Sequence, residues 1–412
     1  MVKRLMLTAT AAVSAFCATA QSDDIKVKLS GFVKADGWID TRRNTDGVDG
    51  LFTYFPLAPE YDAAGNDLNK VATTNTTALS TRLRVTAAGP DIFGAKANAI
   101  VEADFTGTTE VSLLRLRLAN LNLTWSRSTL IVGQAWHPLS IPQFLPRTLS
   151  LNTGAPFQCF SRNPQVTYIY NAGSGVKLLG SINYQSGYES LGPSGKSSIY
   201  LRNAVIPNLD FQVSKTFGRS TIGLTYDFKM LRPNVYNMAP DGKKYQNDNT
   251  VSSHAVLGYY NYTSEKLFVI AKQLFGQNLT EFLMQGGYGV SEIDPITGVQ
   301  QYAPSKGTSI LINFSYGTKY RIGGTFGYLS NNGFTKNIVE NKDLVYGRAL
   351  NLKEMIRIAP SFTYAYKNFT LGVEGELNRA YWGTADYSNK GKVANAKAVN
   401  GFRFLTSLQY NF

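Results

Sequence analysis

From Val27 to Asp40 apolar and polar residues alternate one by one, and this two-residue period returns along most of the chain. Val27, Leu29, Gly31, Val33, Ala35, Gly37 and Ile39 form one set; Lys28, Ser30, Lys34, Asp36 and Asp40 form the other, with Phe32 and Trp38 as exceptions. Side chains that alternate this way stand on opposite faces of a strand. The pattern recurs over Leu79–Ala87, Ala95–Phe105, Val176–Gln185, Ile222–Met230, Ile356–Tyr366 and Phe369–Asn378, while the helical period is almost absent. Between Leu114 and Thr124 the phase slips near Ala119, where a bulge is expected. Alternation weakens from Ser252 to Gly289, leaving register there open.

The joints between strands fall into two kinds. Pro90–Gly94, Ser126–Ser128, Ala172–Gly175, Gly218–Ser220, Ser264–Lys266, Gly317–Lys319 and Tyr366–Asn368 read as tight turns. Seven long connections lie between them: Asn44–Ala78, His137–Asn163, Gly187–Asn208, Arg232–Asn249, Gln277–Gly307, Ser330–Glu354 and Arg379–Gly401. A shorter outer joint sits at Thr106–Glu110. Counting around these joints gives sixteen antiparallel strands, with turns on one side and loops on the other. An all-β transmembrane antiparallel barrel has this rhythm. Strands of about ten residues, tilted about 40–45°, span roughly 25 Å of apolar band. Tyr184, Tyr226, Tyr262, Tyr316, Tyr320, Tyr328, Tyr366, Phe369 and Tyr381 fall where strands should meet headgroups. The last strand places Phe402, Phe404, Thr406, Leu408, Tyr410 and Phe412 on alternate positions. It resembles the carboxy-terminal signal read by the outer-membrane assembly machinery.

Residues 1–20 read as a cleaved secretory signal: Lys3 and Arg4, the apolar run Leu5–Phe16, then Ala18-Thr19-Ala20 before Gln21. Cys17 suggests a lipoprotein site, but bulky Phe16 argues against it. Residues 21–412 are expected to form a single domain, since no linker separates halves of different composition. Without Lys3 and Arg4 the formal charge falls from +13 to +11, which in an exported protein points to anionic solutes or lipid headgroups rather than nucleic acid. Cys159 would then be the remaining cysteine, and two histidines, His137 and His254, argue against a histidine-based metal cluster. No cofactor is implied.

In a membrane barrel the polar face must look into the lumen, because Arg or Lys facing lipid costs about 2–4 kcal/mol at midplane. Lys34, Arg82, Arg84, Lys96, Arg115, Arg117, Lys177, Lys229 and Arg357 are therefore predicted to line it, with Asp36, Asp40, Glu102, Asp104, Asp227, Glu374 and Glu376 on the same faces. Some of these pair as structural salt bridges. The pairs Arg82/Arg84 and Arg115/Arg117, with backbones about 7 Å apart within each pair, are harder to neutralise and suit a ladder for anions. Residues 137–163 are predicted to fold into the barrel as a constriction loop. They hold Arg147 and Arg162, no Asp or Glu, and the stiffening Pro138, Pro142, Pro146 and Pro156. A loop lying over the mouth is the alternative.

The segments LSGFVKADGWID, STRLRVTAAGP, LRLRLANLNLTW and LIVGQAWHPLS resemble the opening strands of the DcaP-like porin family. The resemblance covers mainly residues 29–145. It implies a homotrimeric sixteen-stranded outer-membrane porin favouring negatively charged aromatic and dicarboxylate-like solutes, with Arg82, Arg84, Arg115 and Arg117 lining the pore. The helical amino-terminal extension that braces some members is missing, which weakens the trimer expectation. A non-conducting adhesin or structural barrel, a secreted soluble β-protein and an outer-membrane hydrolase are the rivals. Against the last, Ser252, Ser253 and His254 adjoin on one strand and cannot by themselves make a triad.

Overall fold

The computed structural model describes residues 25–107 and 113–412; the expected signal at 1–20 and the end of the short outer joint, residues 108–110, lie outside these. Sixteen antiparallel strands close on themselves. In chain order they are β1 (Lys26–Asp40), β2 (interrupted, Thr73–Thr77 and Arg82–Ala88), β3 (Lys96–Asp104), β4 (Arg115–Thr124), β5 (Ser128–Trp136), β6 (Arg162–Gly173), β7 (Val176–Asn183) and β8 (Asn208–Phe217). There follow β9 (Ser220–Leu231), β10 (Val251–Thr263), β11 (Leu267–Gln277), β12 (Gln300–Gly317), β13 (Tyr320–Phe334), β14 (Leu352–Tyr366), β15 (Phe369–Asp386) and β16 (Lys392–Asn411). Each pairs with its sequence neighbour, and β1 pairs with β16 from Phe32↔Asn411 to Asp40↔Arg403. Beyond the last strand, Phe412 exchanges backbone hydrogen bonds with Gly31 (3.0 and 3.1 Å).

Alternation decides which way each strand faces. Val27, Leu29, Val33 and Ile39 are exposed on the outside of β1, as are Ile322 on β13, Ile358 on β14 and Phe404 and Leu408 on β16. An apolar surface wrapped around a barrel in this way needs a bilayer to cover it. Lys34, Asp36 and Asp40 point inward and are buried. So do the two exceptions to alternation: Trp38 is buried in an interior cluster, and Phe32 sits under the Arg82 guanidinium at 5.1 Å.

Three expectations need correction. Residues 379–401 are not a loop: β15 and β16 run on as a hairpin to Asp386↔Lys392, joined by a short turn. Within 277–307 the strand Gly286–Ile293 pairs with the start of β12 and with Val345–Arg348. The predicted constriction segment ends two residues early, since Arg162 and Asn163 open β6. The phase slip in β4 is a bulge at Arg117, where Glu102 faces Leu118 and Ala103 faces Leu116. On β5, Gly133, the register partner of Asn120, has φ +118°, and a Cβ there would lie 2.2 Å from the Ala119 carbonyl oxygen.

The weakened alternation after Ser252 also has a physical cause. Ala255, Leu257 and Tyr259 on β10, with Ile270 and Leu274 on β11, face inward yet are apolar. They pack against Leu139, Ile141 and Cys159 of the segment after β5, so both faces of these strands are hydrophobic. That segment, residues 137–161, lies inside the barrel.

Candidate functional site

The inward loop is fastened to one wall of the lumen. Lys34 of β1 donates to the Leu149 carbonyl at 2.6 Å, and Glu374 of β15 accepts from the Leu149 and Ser150 amides at 2.9 and 3.1 Å. Arg357 of β14 donates to the Ala155 carbonyl at 2.9 Å, and Ser309 of β12 to that of Phe157 at 2.6 Å. Lys272 of β11 reaches the Ser140 carbonyl and Gln158 Oε1 at 2.8 and 2.6 Å. The loop's own lack of acidic residues is thus met by wall carboxylates. A hairpin in the connection after β1, Asn44–Gly47 with Phe52–Pro56, packs beside it. Phe52, Phe55, Leu151, Phe157, Phe160 and Tyr188 join Trp38, Leu311, Leu329, Met355 and Leu405 of the wall in one apolar cluster. Inward residues of β11–β15 therefore serve the loop.

The opposite wall, β2 to β8, keeps open space. An outer cavity of about 310 Å³ is lined by Phe52, Tyr54, Phe160 and Tyr188, with Arg115 and Lys196 as the charged residues, and no carboxylate, among the described residues that line it. A second cavity, about 250 Å³, is lined by Asn120, Asn122, Gln143, Gln165, Thr167 and Gln212 together with Trp136, Pro138 and Pro142. It adjoins a third space that shares Gln143, Ile169, Leu179 and Gln212 and reaches Lys177. Between the outer space and the second stands Arg162, stacked on Trp136, Phe160 and Tyr188 with its Cζ 4.8–5.2 Å from the ring centroids. Tyr54, in the hairpin, has its hydroxyl pKa raised by burial in spite of nearby Arg348.

The predicted basic residues fall into distinct settings. Arg82, Arg84, Arg115 and Arg117 come together, but around carboxylates. Arg84 pairs with Glu102 at 2.6 Å, Arg82 with Glu102 at 3.7 Å, Arg115 with Asp104 at 3.4 Å, and Arg117 with both at 2.8 and 2.5 Å. These pairs, expected to be harder to neutralise, are neutralised in part: four guanidiniums share two carboxylates, and an excess of two positive charges remains. Arg117 is buried inside the cluster, whereas the Arg84 side chain is 42% exposed. Lys34 and Arg357 point inward but are buried and hold the loop. Lys229 is buried against Glu281. Lys96 and Lys177 are exposed on inward positions near the turns, and Arg147 is exposed over the Phe268 ring at 4.3 Å. Arg162 is buried.

Sequence reasoning missed Lys196, in an outer connection without periodicity, and Arg403, Lys272 and Asp210, which sit on polar positions of β16, β11 and β8. His254 lies on the outer face, hydrogen bonded to the Tyr226 hydroxyl at 2.7 Å, away from the lumen. His137, buried at the root of the loop, faces Asp210 and Asp227.

Known structures share this architecture. The outer membrane channel DcaP of Acinetobacter baumannii superposes with a TM-score of 0.64 at 17% identity, covering 95% of this chain and 99% of that one. OmpT, an outer membrane protein of Vibrio cholerae, gives 0.55 at 12% identity, with 95% and 99% coverage. OmpF of Salmonella typhi, solved with daunomycin, gives 0.54 at 12% identity, with 95% and 98% coverage. At these identities the likeness establishes the porin fold. No family model and no curated relative matches the sequence.

Proposed function

We propose that this protein is an outer-membrane porin through which small hydrophilic solutes diffuse passively, with anions favoured. The observation that carries this reading is the unequal lumen. One wall is filled by the inward loop, and the other keeps spaces whose charged lining among the described residues, Arg115, Lys196 and Lys177, is cationic. Rings or patches of Arg and Lys in a narrow pore bias it toward anions. The Arg cluster around Glu102 and Asp104 strengthens the bias, with Arg84 the member most open to solvent.

A solute entering past the outer connections meets Arg115 and Lys196 beside four aromatic rings. That setting suits small carboxylates, aromatic ones included, since guanidinium groups grip carboxylates while rings accept flat apolar bodies. Below the loop the amides of Asn120, Asn122, Gln165 and Gln212 replace water without charge, so contacts stay weak enough for release. An adhesin or catalytic barrel would not need cation-lined spaces along one wall of its lumen. The DcaP channel and a trimer form of Vibrio cholerae OmpT share the fold, and a homotrimer is the assembly proposed here as well. Phe412, at the barrel seam, is proposed as the end read by the assembly machinery.

Reversal potentials across a planar bilayer under a salt gradient test the reading. An anion preference that grows with benzoate or succinate as the anion supports it. A cation preference overturns it.

A further inference from the structure

We infer that His137, Asp210 and Asp227 form a binding site for one divalent transition-metal cation that pins the root of the inward loop to β8 and β9. Asp210 and Asp227 stand directly opposite each other in the β8–β9 register, both pointing into the lumen and both buried. Like charges at directly opposed positions repel, and burial removes the water that would screen them. Neither has a Lys or Arg partner within ion-pair distance among the described residues. Lys229, two positions along the same face, is committed to Glu281 and to the Asn278 carbonyl.

Of the atoms that face one another here, His137 Nε2 and Asp227 Oδ2 are unpartnered among the described residues. His137 Nε2 lies 3.7 Å from Asp210 Oδ2 and 3.8 Å from Asp227 Oδ2, too far for hydrogen bonds. His137 Nε2, Asp210 Oδ1 and Asp227 Oδ2 make no hydrogen bond although all three residues are buried. Asn183 donates its amide to Asp210 Oδ2 at 2.5 Å and leaves its own Oδ1 without a partner. The three residues offer ligand atoms that lie within 4.8 Å of one another, and the His137 distances of 3.7 and 3.8 Å need to shorten only slightly to reach the roughly 3.3–3.6 Å between donors about 2.0–2.2 Å from one tetrahedral ion. An imidazole with two carboxylates favours zinc-like cations over calcium or magnesium.

One contact must yield. The Leu139 amide approaches His137 Nδ1 at 3.3 Å, a long hydrogen bond that keeps the ring proton on Nε2. Coordination through Nε2 moves that proton to Nδ1 and releases the Leu139 amide at the start of the Pro138–Ser140 turn. The Lys34, Glu374 and Arg357 anchors hold the far side of the loop, so the cation would fasten its near side, where Pro138 lines the second cavity.

The test uses untagged full-length protein refolded in detergent with ZnCl2, freed of loose metal on a chelating resin, and assayed for zinc per chain and for thermal unfolding. Expected are one tightly held Zn²⁺ per chain and a higher unfolding temperature than in metal-free protein. Affinity should fall at least tenfold in D227N and in H137Q. D227N keeps the side-chain shape and removes repulsion, so it should fold without metal at least as well as the parent. H254Q should bind as the parent does. If D210N/D227N retains as much zinc as the parent, or the parent retains none, the site is overturned.

Discussion

Arg403 grips Asp40 across the seam between the last strand and the first, Nε donating to Oδ1 at 2.8 Å and Nη2 to Oδ2 at 2.5 Å. The two residues are direct register partners, so the bidentate pair also fixes how β16 meets β1. Both are buried in the lumen, and the guanidinium stacks on Trp38 at 5.0 Å. Removing one partner of such a pair leaves a buried charge unpaired, at a cost of about 3–5 kcal/mol. Asp40→Ala should therefore lower the temperature at which the folded barrel unfolds on a heat-modifiability gel. An unchanged transition would mean that seam closure rests on the backbone ladder alone.

Arg84 and Arg117 share Glu102 but should respond differently to substitution. The Arg84 side chain is 42% exposed to the lumen, whereas Arg117 is sealed between Glu102 and Asp104. R84E should move the reversal potential toward cations with little loss of stability. R117A should cost up to about 3–5 kcal/mol, because both carboxylates lose the buried guanidinium sealed between them and keep only the more exposed Arg82, Arg84 and Arg115. Measuring reversal potential and thermal unfolding on both variants checks the division. Equal effects would show that the cluster acts as one unit.

The fold was legible because turn and loop lengths differ by side and because lipid forces one apolar face on every strand. That legibility failed where the inward loop covers the wall. Ala255, Leu257, Ile270 and Leu274 are apolar on their lumenal side, so period two faded there. The site was readable only as a list of inward charges. Which charges are spent could not be read, since Lys34 and Arg357 contact loop residues more than a hundred positions away. The four arginines of β2 and β4 are legible in the sequence, but their partial neutralisation by Glu102 and Asp104 of β3 depends on register. The bulge at Arg117, which turns both Arg117 and Leu118 inward, shifts that register by one residue.

Acid should loosen the connection after β1. Arg42 hydrogen bonds to Asp67 at 2.7 Å, and this bond, with the Asn69 and Glu60 amides, holds the Asp67 carboxyl below its usual range. A depressed carboxylate pKa means stability that is present above about pH 3.9 and is lost as pH falls through the folded value. Amide exchange at Asn69, whose N–H donates to Asp67 Oδ1 at 3.0 Å, should speed up across that window after correction for intrinsic rates. D67N should exchange quickly already at neutral pH. Protection that persists in D67N would assign it to the Asn69 side chain, which bonds the Ala58 carbonyl at 2.8 Å.

Phe157 and Gly327 decide how deeply the inward loop seats. The Phe157 ring lies over Gly327 of β13, where an added Cβ would come within 2.5 Å of it, and the Arg357 guanidinium stacks on the same ring at 5.2 Å. G327A thus inserts a methyl group beneath a buried ring and should cost about 1–3 kcal/mol by overpacking. F157A empties the same place and should cost about 3–5 kcal/mol. Either change should unseat the loop from its wall, raising single-channel conductance and current noise. Because both act at one contact, the double variant F157A/G327A should lose less stability than the two singles combined. Full additivity would place Phe157 and Gly327 in independent roles and remove the ring as the loop's seat.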